Sequence, residues 1–113
     1  DGYKGFHNNY SSPIICDNII TGNNFGIQNF NNASPTISNN IITENEVGVW
    51  SSLQSSPLIS QNKITGNITD IYVEEYYSVP IINFNIIDSI DSMVGASAWS
   101  GMYNVRSNGT SFP

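Results

Sequence analysis

Four prolines recur at nearly equal intervals along this chain and constrain its fold more than any other feature. They occupy positions 13, 35, 57 and 80, so the spacings are 22, 22 and 23 residues. Each proline is the second residue in one copy of a segment: SPIICDNIITGN, SPTISNNIITEN, SPLISQNKITGN and the weaker VPIINFNIIDSI. Internal periods of about 20–50 residues are typical of solenoids and other repeat architectures.

Isoleucine and valine stand at fixed distances from the prolines. The columns two and seven residues after proline hold Ile15, Ile37, Ile59 and Ile82, and Ile20, Ile42, Ile64 and Ile87. The column fourteen residues after holds Ile27, Val49, Ile71 and Val94. Short apolar segments separated by Asn or Gly favour three strands per unit rather than helices. One unit cannot bury these side chains alone, so we expect units to stack with parallel strands about 4.8 Å apart.

Asparagine forms two more columns. One, five residues after proline, holds Asn18, Asn40, Asn62 and Asn85; the other, ten residues after, holds Asn23, Asn45 and Asn67. Because asparagine tolerates left-handed backbone torsions, we expect both columns to form the corners between strands. We also expect the first column to form a ladder of hydrogen-bonded side-chain amides along the stack.

The pattern S-P-x-I-x-x-N-x-I-T-x-N, followed by G-[I/V], resembles the right-handed parallel β-helix repeats of pectate-lyase-like proteins. Within that group it is most similar to NosD-like repeats and to the carbohydrate-binding-and-sugar-hydrolase repeat class. The resemblance covers roughly residues 5–98. It implies an all-β, right-handed parallel β-helix (solenoid) of about four to five turns, with about 22 residues and three short strands per turn. It also implies an extracellular, cell-surface or periplasmic location.

The chain divides into two parts on this interpretation. Residues 1–98 hold the repeats, as a partial turn over 1–11 and units near 12–33, 34–55, 56–78 and 79–98. Residues 99–113 lack the proline and asparagine columns and are expected to form an irregular C-terminal cap or a linker. Neither end has an obvious polar cap, so end-to-end or homo-oligomeric association through open strand edges is a further hypothesis.

Composition excludes several kinds of partner. The net charge is -6 with three basic residues, which argues against nucleic acid because phosphate binding needs a basic surface. No apolar run approaches the roughly 20 residues of a membrane span. One Cys and one His do not make a zinc or copper site, so we expect no cofactor and no metal. Asp70 with Glu74 is the pair we considered for calcium.

Catalysis has weak support in these residues. The resemblance implies that enzymes of this fold use an acidic calcium-binding cluster with a basic residue, or several Asp with His and Arg-Lys motifs. None of these motifs occurs, and His7 and Arg106 lie near opposite ends. We therefore assign no catalytic residue and favour a non-enzymatic role. The alternative is a segment of a polysaccharide lyase or glycoside hydrolase whose catalytic residues lie elsewhere.

Aromatic residues give the strongest candidate for a binding site. Trp50 and Tyr72 each follow an inward residue of the third apolar column, so they should point outward and stack on neighbouring turns. Grouped outward aromatics mark binding surfaces, and with Glu74 and Tyr76 they form a candidate carbohydrate-binding set. The alternative is that the rings pack under the following turn. The sequence thus favours a non-catalytic extracellular scaffold, either structural or carbohydrate-binding, with an enzyme segment or a self-assembly module as alternatives.

Overall fold

The computed structural model describes residues 2–74, 77–93 and 99–113, and the chain coils through three sheets in these ranges. Sheet A contains, in spatial order, β1 (Gly2–Asn9), β4 (Asn23–Phe30), β7 (Val47–Ser51), β10 (Thr69–Val73) and β13 (Ile90–Ser92). Sheet B contains β2 (Ile14–Cys16), β5 (Thr36–Ser38), β8 (Leu58–Ser60) and β11 (Ile81–Asn83). Sheet C contains β3 (Ile19–Thr21), β6 (Ile41–Thr43), β9 (Lys63–Ile64), β12 (Ile86–Ile87), β14 (Asn104–Val105) and β15 (Ser111–Phe112). No helix in these ranges is long and apolar enough to cross a membrane.

Each strand in the repeats pairs in parallel with its own copy in the next coil. The pairing places Ile15 beside Ile37 in sheet B and Ile20 beside Ile42 in sheet C. Equivalent residues of successive repeats therefore stand directly above one another. The predicted β-solenoid of about four turns, with three strands in each, is confirmed.

The three aliphatic columns form one continuous core. Its buried members are Ile15, Ile20, Ile27, Ile37, Ile42, Val49, Ile59, Ile64, Ile71, Val73, Ile82 and Ile87. Phe6, Ile90 and Trp99 are partly buried against it. Full burial of one such side chain stabilises a fold by about 1.5–3 kcal/mol relative to exposure. Stacking of coils is what removes these side chains from water.

A ladder of asparagine side chains closes the corner between sheets B and C. Asn40 Nδ2 donates to the Asn62 Oδ1 of the next coil at 3.0 Å and to the Ile15 carbonyl of the preceding coil at 2.9 Å. Asn40 Oδ1 accepts from Asn18 Nδ2 at 3.2 Å. The ladder contains Asn18, Asn40, Asn62, Asn85 and also Asn104. Each side chain thus links the coils on both sides of it.

The ladder asparagines stand at the corner between sheets B and C, as predicted, but the left-handed backbone torsions fall on the residue before each of them. In the corner between sheets B and C, φ lies between 55° and 62° at Asp17, Asn39, Gln61, Phe84 and Tyr103. The residue before each asparagine turns the chain from sheet B to sheet C. The asparagine side chain then points inward, where it joins the ladder. A left-handed residue with a Cβ costs roughly 1–2 kcal/mol.

The fourth coil is shorter than the others at the corner between sheets C and A. Ile71 follows Ile64 by seven residues, whereas Ile90 follows Ile87 by three, although both pairs are in register. Four residues of the corner are therefore missing. Ile90, not Val94, pairs with Ile71, so the prediction of Val94 in the third apolar column is wrong. Val94 itself lies outside the described residues.

Residues 99–113 continue the stack before the chain turns back. Ser100 bridges to Ile81 of sheet B, and Val105 pairs with Ile86 of sheet C. The final strand, β15, then pairs with β14 in the antiparallel direction. β15 thereby covers the edge that β14 would otherwise leave unpaired.

The amide ladder predicts a large effect of Asn40→Ala on stability. We expect the free energy of unfolding to fall by about 1–3 kcal/mol, because buried amides above and below lose a partner. Urea denaturation measures this change. The matched control is Asn24→Ala, where an exposed amide bonds Glu46 at 3.3 Å and the loss should stay below about 0.5 kcal/mol. Equal losses in the two variants would contradict a stabilising ladder.

The close approach of coils at Gly48 predicts that a methyl group is not tolerated there. A Cβ on Gly48 would lie 2.5 Å from the Asp70 carbonyl oxygen of the next coil, which cannot move without shifting the strand. We expect Gly48→Ala to lower stability by about 1–3 kcal/mol, the usual cost of overpacking. Gly2→Ala is the control, since its nearest atom would be 3.4 Å away. Thermal melts that show no difference between the variants would refute the close approach.

Candidate functional site

The outer face of sheet A carries a groove of about 270 Å³, which we call the sheet A groove. Its lining residues are Lys4, Gln28, Phe30, Trp50, Ser52, Leu53 and Glu74. They come from four successive coils, beginning at β1 and ending just after β10. Because adjacent strands are about 4.8 Å apart, the groove runs along the stacking axis rather than along one strand.

The parallel register brings these side chains together. Gln28 of β4 pairs with Trp50 of β7, which pairs with Tyr72 of β10. Pairing continues past the strand ends, where the Ser52 amide donates to the Asn29 carbonyl at 3.0 Å and the Glu74 amide donates to the Ser51 carbonyl at 2.9 Å. Ser52 and Glu74 therefore stand at equivalent positions of neighbouring coils, and both line the groove.

Two aromatic rings, Trp50 and Phe30, line the sheet A groove, and each contacts a further ring outside it. Trp50 contacts Phe25 of the preceding coil with ring centroids 5.6 Å apart, and Tyr3 packs edge-on against Phe25 at 5.6 Å. His7 stacks on Phe30 at 4.8 Å. Trp50 and Tyr72 stand in register on neighbouring coils, as predicted, although among the described residues no ring contact joins the two. The Trp50 ring instead packs toward the preceding coil.

Charge is distributed along the groove rather than concentrated at one point. Lys4 lies in β1, and Glu74 directly follows β10, three coils further on. The Lys4 ammonium lies 5.3 Å from the Tyr3 ring centroid. Desolvation of the otherwise exposed His7 side chain, and secondarily the Lys4 charge, lower the pKa of His7 from its usual 6.5. Both effects disfavour a second positive charge beside Lys4.

Gln28 is a buried polar side chain in the groove whose amide oxygen lacks a hydrogen-bond partner. It is 7% exposed, and its Oε1 has no hydrogen-bond partner in the described part of the chain. A buried polar atom left without a partner costs about 1–3 kcal/mol. Two buried atoms of residues that do not line the groove, Asn29 Nδ2 and Ser51 Oγ, also lack a partner in the described part of the chain.

The residues predicted from sequence fall into three groups. Trp50 and Glu74 line the sheet A groove. Tyr72 is half-buried beside Trp50 but does not line it. Tyr76 lies outside the described residues.

Sequence reasoning missed Lys4, Gln28 and Phe30. A signal for Phe30 was present: it stands seventeen residues after its proline, as Ser52 and Glu74 do after theirs. Gln28 likewise stands at the position of Trp50 and Tyr72, fifteen residues after proline. Comparison of the outward columns across all coils would have found both residues.

Asp70 does not form a calcium site with Glu74, and that interpretation is wrong. Asp70 is 1% exposed, and its Oδ1 accepts from Asn67 Nδ2 at 3.0 Å. Its Oδ2 accepts from the backbone amides of Asp88 at 2.9 Å and Ser89 at 3.1 Å. Both oxygens are thus used within the fold. Across the described ranges, no group of three or more His, Cys, Asp or Glu side chains is placed to hold a metal ion.

The stacked parallel sheets and the continuous aliphatic core define this protein as a parallel β-helix solenoid. A family model described as a right-handed β-helix region matches residues 1–112. The chain therefore belongs to the right-handed β-helix family. No curated protein and no solved structure matches it.

The contacts of Asp70 predict that its carboxylate cannot be replaced by an amide. In Asp70→Asn, either orientation of the amide turns an NH₂ group toward N–H donors, of Asn67 or of Asp88 and Ser89. We expect a loss of about 1–3 kcal/mol in the free energy of unfolding, measured by chemical denaturation. The control is Asp17→Asn, an exposed residue with φ of 60° that asparagine tolerates. An unchanged Asp70→Asn protein would show that the carboxylate is not needed.

Proposed function

We propose that this β-helix is a scaffold that binds a polysaccharide in the sheet A groove. The observation that carries the proposal is the combination, in one groove, of Trp50 and Phe30 rings with the buried amide of Gln28. Ligand sites are typically apolar clefts with a few polar groups that fix orientation. A sugar ring has the matching surfaces, since it offers an apolar face of C–H groups and a rim of hydroxyls.

Trp50 is suited to be the main stacking surface. Its ring is half-buried and contacts Phe25, so its orientation is restricted before any ligand arrives. A side chain that is already ordered loses little conformational entropy on binding. Phe30 is held in a similar way by the stacked His7 ring at 4.8 Å. Both rings can therefore receive a flat ligand face at low entropic cost.

Polar contacts to the sugar would come from Gln28, Lys4 and Glu74. A hydroxyl donating to Gln28 Oε1, after a small rotation of the amide, would supply the partner that this oxygen lacks. Lys4 offers N–H donors and Glu74 carboxylate acceptors, which together can bond hydroxyls that both donate and accept. Because these groups are spread over four coils, a linear polymer along the axis fits better than a small ligand.

The number of carboxylates in the groove favours binding over glycoside hydrolysis. Hydrolysis of a glycosidic bond normally requires two carboxyl groups on either side of it. Glu74 is the one carboxylate among the described residues that line the sheet A groove. We also propose an extracellular, cell-surface or periplasmic location, where polysaccharides are accessible; the support is the resemblance of the repeats.

The proposal is tested by Trp50→Ala. We expect binding to immobilised polysaccharides, screened as β-glucan, xylan, galactomannan and polygalacturonate gels, to weaken by at least about tenfold, or about 1.4 kcal/mol. Affinity electrophoresis measures the retention, and circular dichroism checks that the fold is kept. The control is Tyr10→Ala, which removes a 75% exposed ring that does not line the groove. Retention that Trp50→Ala leaves unchanged would refute this site.

A further inference from the structure

The corner between sheets B and C carries a second aromatic surface. It is separate from the sheet A groove, which lies on the third sheet of the coil. Its left-handed positions hold polar residues in the first three coils and aromatic residues in the last two, Phe84 and Tyr103. These rings are 59% and 68% exposed. They stack on each other with centroids 5.2 Å apart and planes 13° from parallel.

Burial does not explain why these two residues are aromatic. A bulky residue with φ near 60° is unusual, because its Cβ lies too close to the backbone. Asn39, two coils earlier in the same column, shows that the corner accepts a residue that tolerates this conformation. The two rings contact each other, yet each remains largely in water. Strained residues that keep apolar surface exposed are concentrated at functional sites.

A groove of about 430 Å³ lies beside this aromatic pair, and we call it the corner groove. Phe84 forms one wall, and Ile41, Lys63 and Ile86, which are in register in sheet C, also line it. The side chains of Asn39 and Gln61 line the corner itself. None of the described residues that line it is acidic, although the chain carries a net charge of -6.

We propose that the corner groove is a second carbohydrate-binding site, for an uncharged glycan. One sugar would stack on the face of Phe84 that Tyr103 does not cover, while the stacked Tyr103 ring supports Phe84 from the other side. Hydroxyls would bond the amides of Asn39 and Gln61, which can donate and accept, and the Lys63 ammonium, which donates. An uncharged glycan is favoured because amides outnumber the single ammonium among the described lining residues, and because the net charge of -6 repels an anionic polymer.

A second site on the same rigid coil has a functional consequence. The two grooves lie on different sheets, so one molecule can bind two polymer chains, or one chain at two points. Binding at both sites raises the apparent affinity without any new contact, because the second event is intramolecular. This inference does not depend on the sheet A groove, since the residues that line the two grooves do not overlap.

The test uses the double variant Phe84→Asn/Tyr103→Asn. Asparagine relieves the left-handed strain, so the melting temperature should be equal or higher, whereas the stacking platform is lost. The control is Tyr10→Asn, which also replaces an exposed tyrosine at positive φ, of 54°, but does not line the corner groove. A lower melting temperature in the double variant alone would overturn the argument, since it would mean that the rings serve packing.

Binding is measured by affinity electrophoresis in β-glucan, xylan and galactomannan gels, with polygalacturonate as the acidic probe. These variants are made in the Trp50→Ala protein, which lacks the main stacking ring of the sheet A groove. We expect residual retention on a neutral gel, weakened by at least about tenfold when Phe84→Asn/Tyr103→Asn is added and unchanged with Tyr10→Asn.

Each other outcome has a defined meaning. Complete loss of retention in Trp50→Ala alone would overturn the second site and support the sheet A groove. Loss only in the double variant would support the corner groove and overturn the sheet A groove. Retention on polygalacturonate alone, abolished by Lys63→Gln, would overturn the assignment of an uncharged glycan. A wild-type protein that no gel retains would overturn both sites.

Discussion

The hydrogen bond from each ladder asparagine to the next holds the coils in register, and the rest of the structure depends on that register. Asn62 is an example: its Nδ2 donates hydrogen bonds to Asn85 Oδ1 at 3.1 Å and to the Ile37 carbonyl at 2.9 Å. One side chain thereby fixes the coils before and after it. A slip of one residue would turn the isoleucine columns out of the core, so the ladder and the core require the same alignment.

Two departures from the repeat in the third and fourth coils belong to a single structural adjustment. The fourth coil has no asparagine to follow Asn67, because its corner is four residues shorter. In the third coil Asp70 occupies the position of Gly48, and its carboxylate accepts from the Asn67 amide at 3.0 Å. The same carboxylate also accepts the N–H groups of Asp88 and Ser89 in the shortened corner. Asp70 thus ends the second asparagine column. The hydrogen bonds that both of its carboxylate oxygens accept offset the cost of burying it.

The inward half of the structure was predictable, because the stacked core and the ladder repeat with the period of the coil. Ile37 and Asn40 could be placed from their distance to Pro35 alone. Val94 was misplaced because a fixed distance from proline fails where a corner loses residues. The site was harder to predict, because outward positions face water and do not have to match between coils. Trp50 was found by its size, whereas Gln28 was missed, since its importance comes from burial under neighbouring side chains.

The geometry of the coil also explains how outward aromatics form the surfaces that we propose as binding sites. Strands in register are about 4.8 Å apart, which is close to the spacing at which aromatic rings pack. The observed ring separations, 5.6 Å for Phe25 and Trp50 and 5.2 Å for Phe84 and Tyr103, follow from that spacing. Outward aromatics on adjacent coils therefore come into contact without any change to the core. A right-handed β-helix can acquire such a platform through a few outward substitutions, while the inward columns that hold the coils together stay the same.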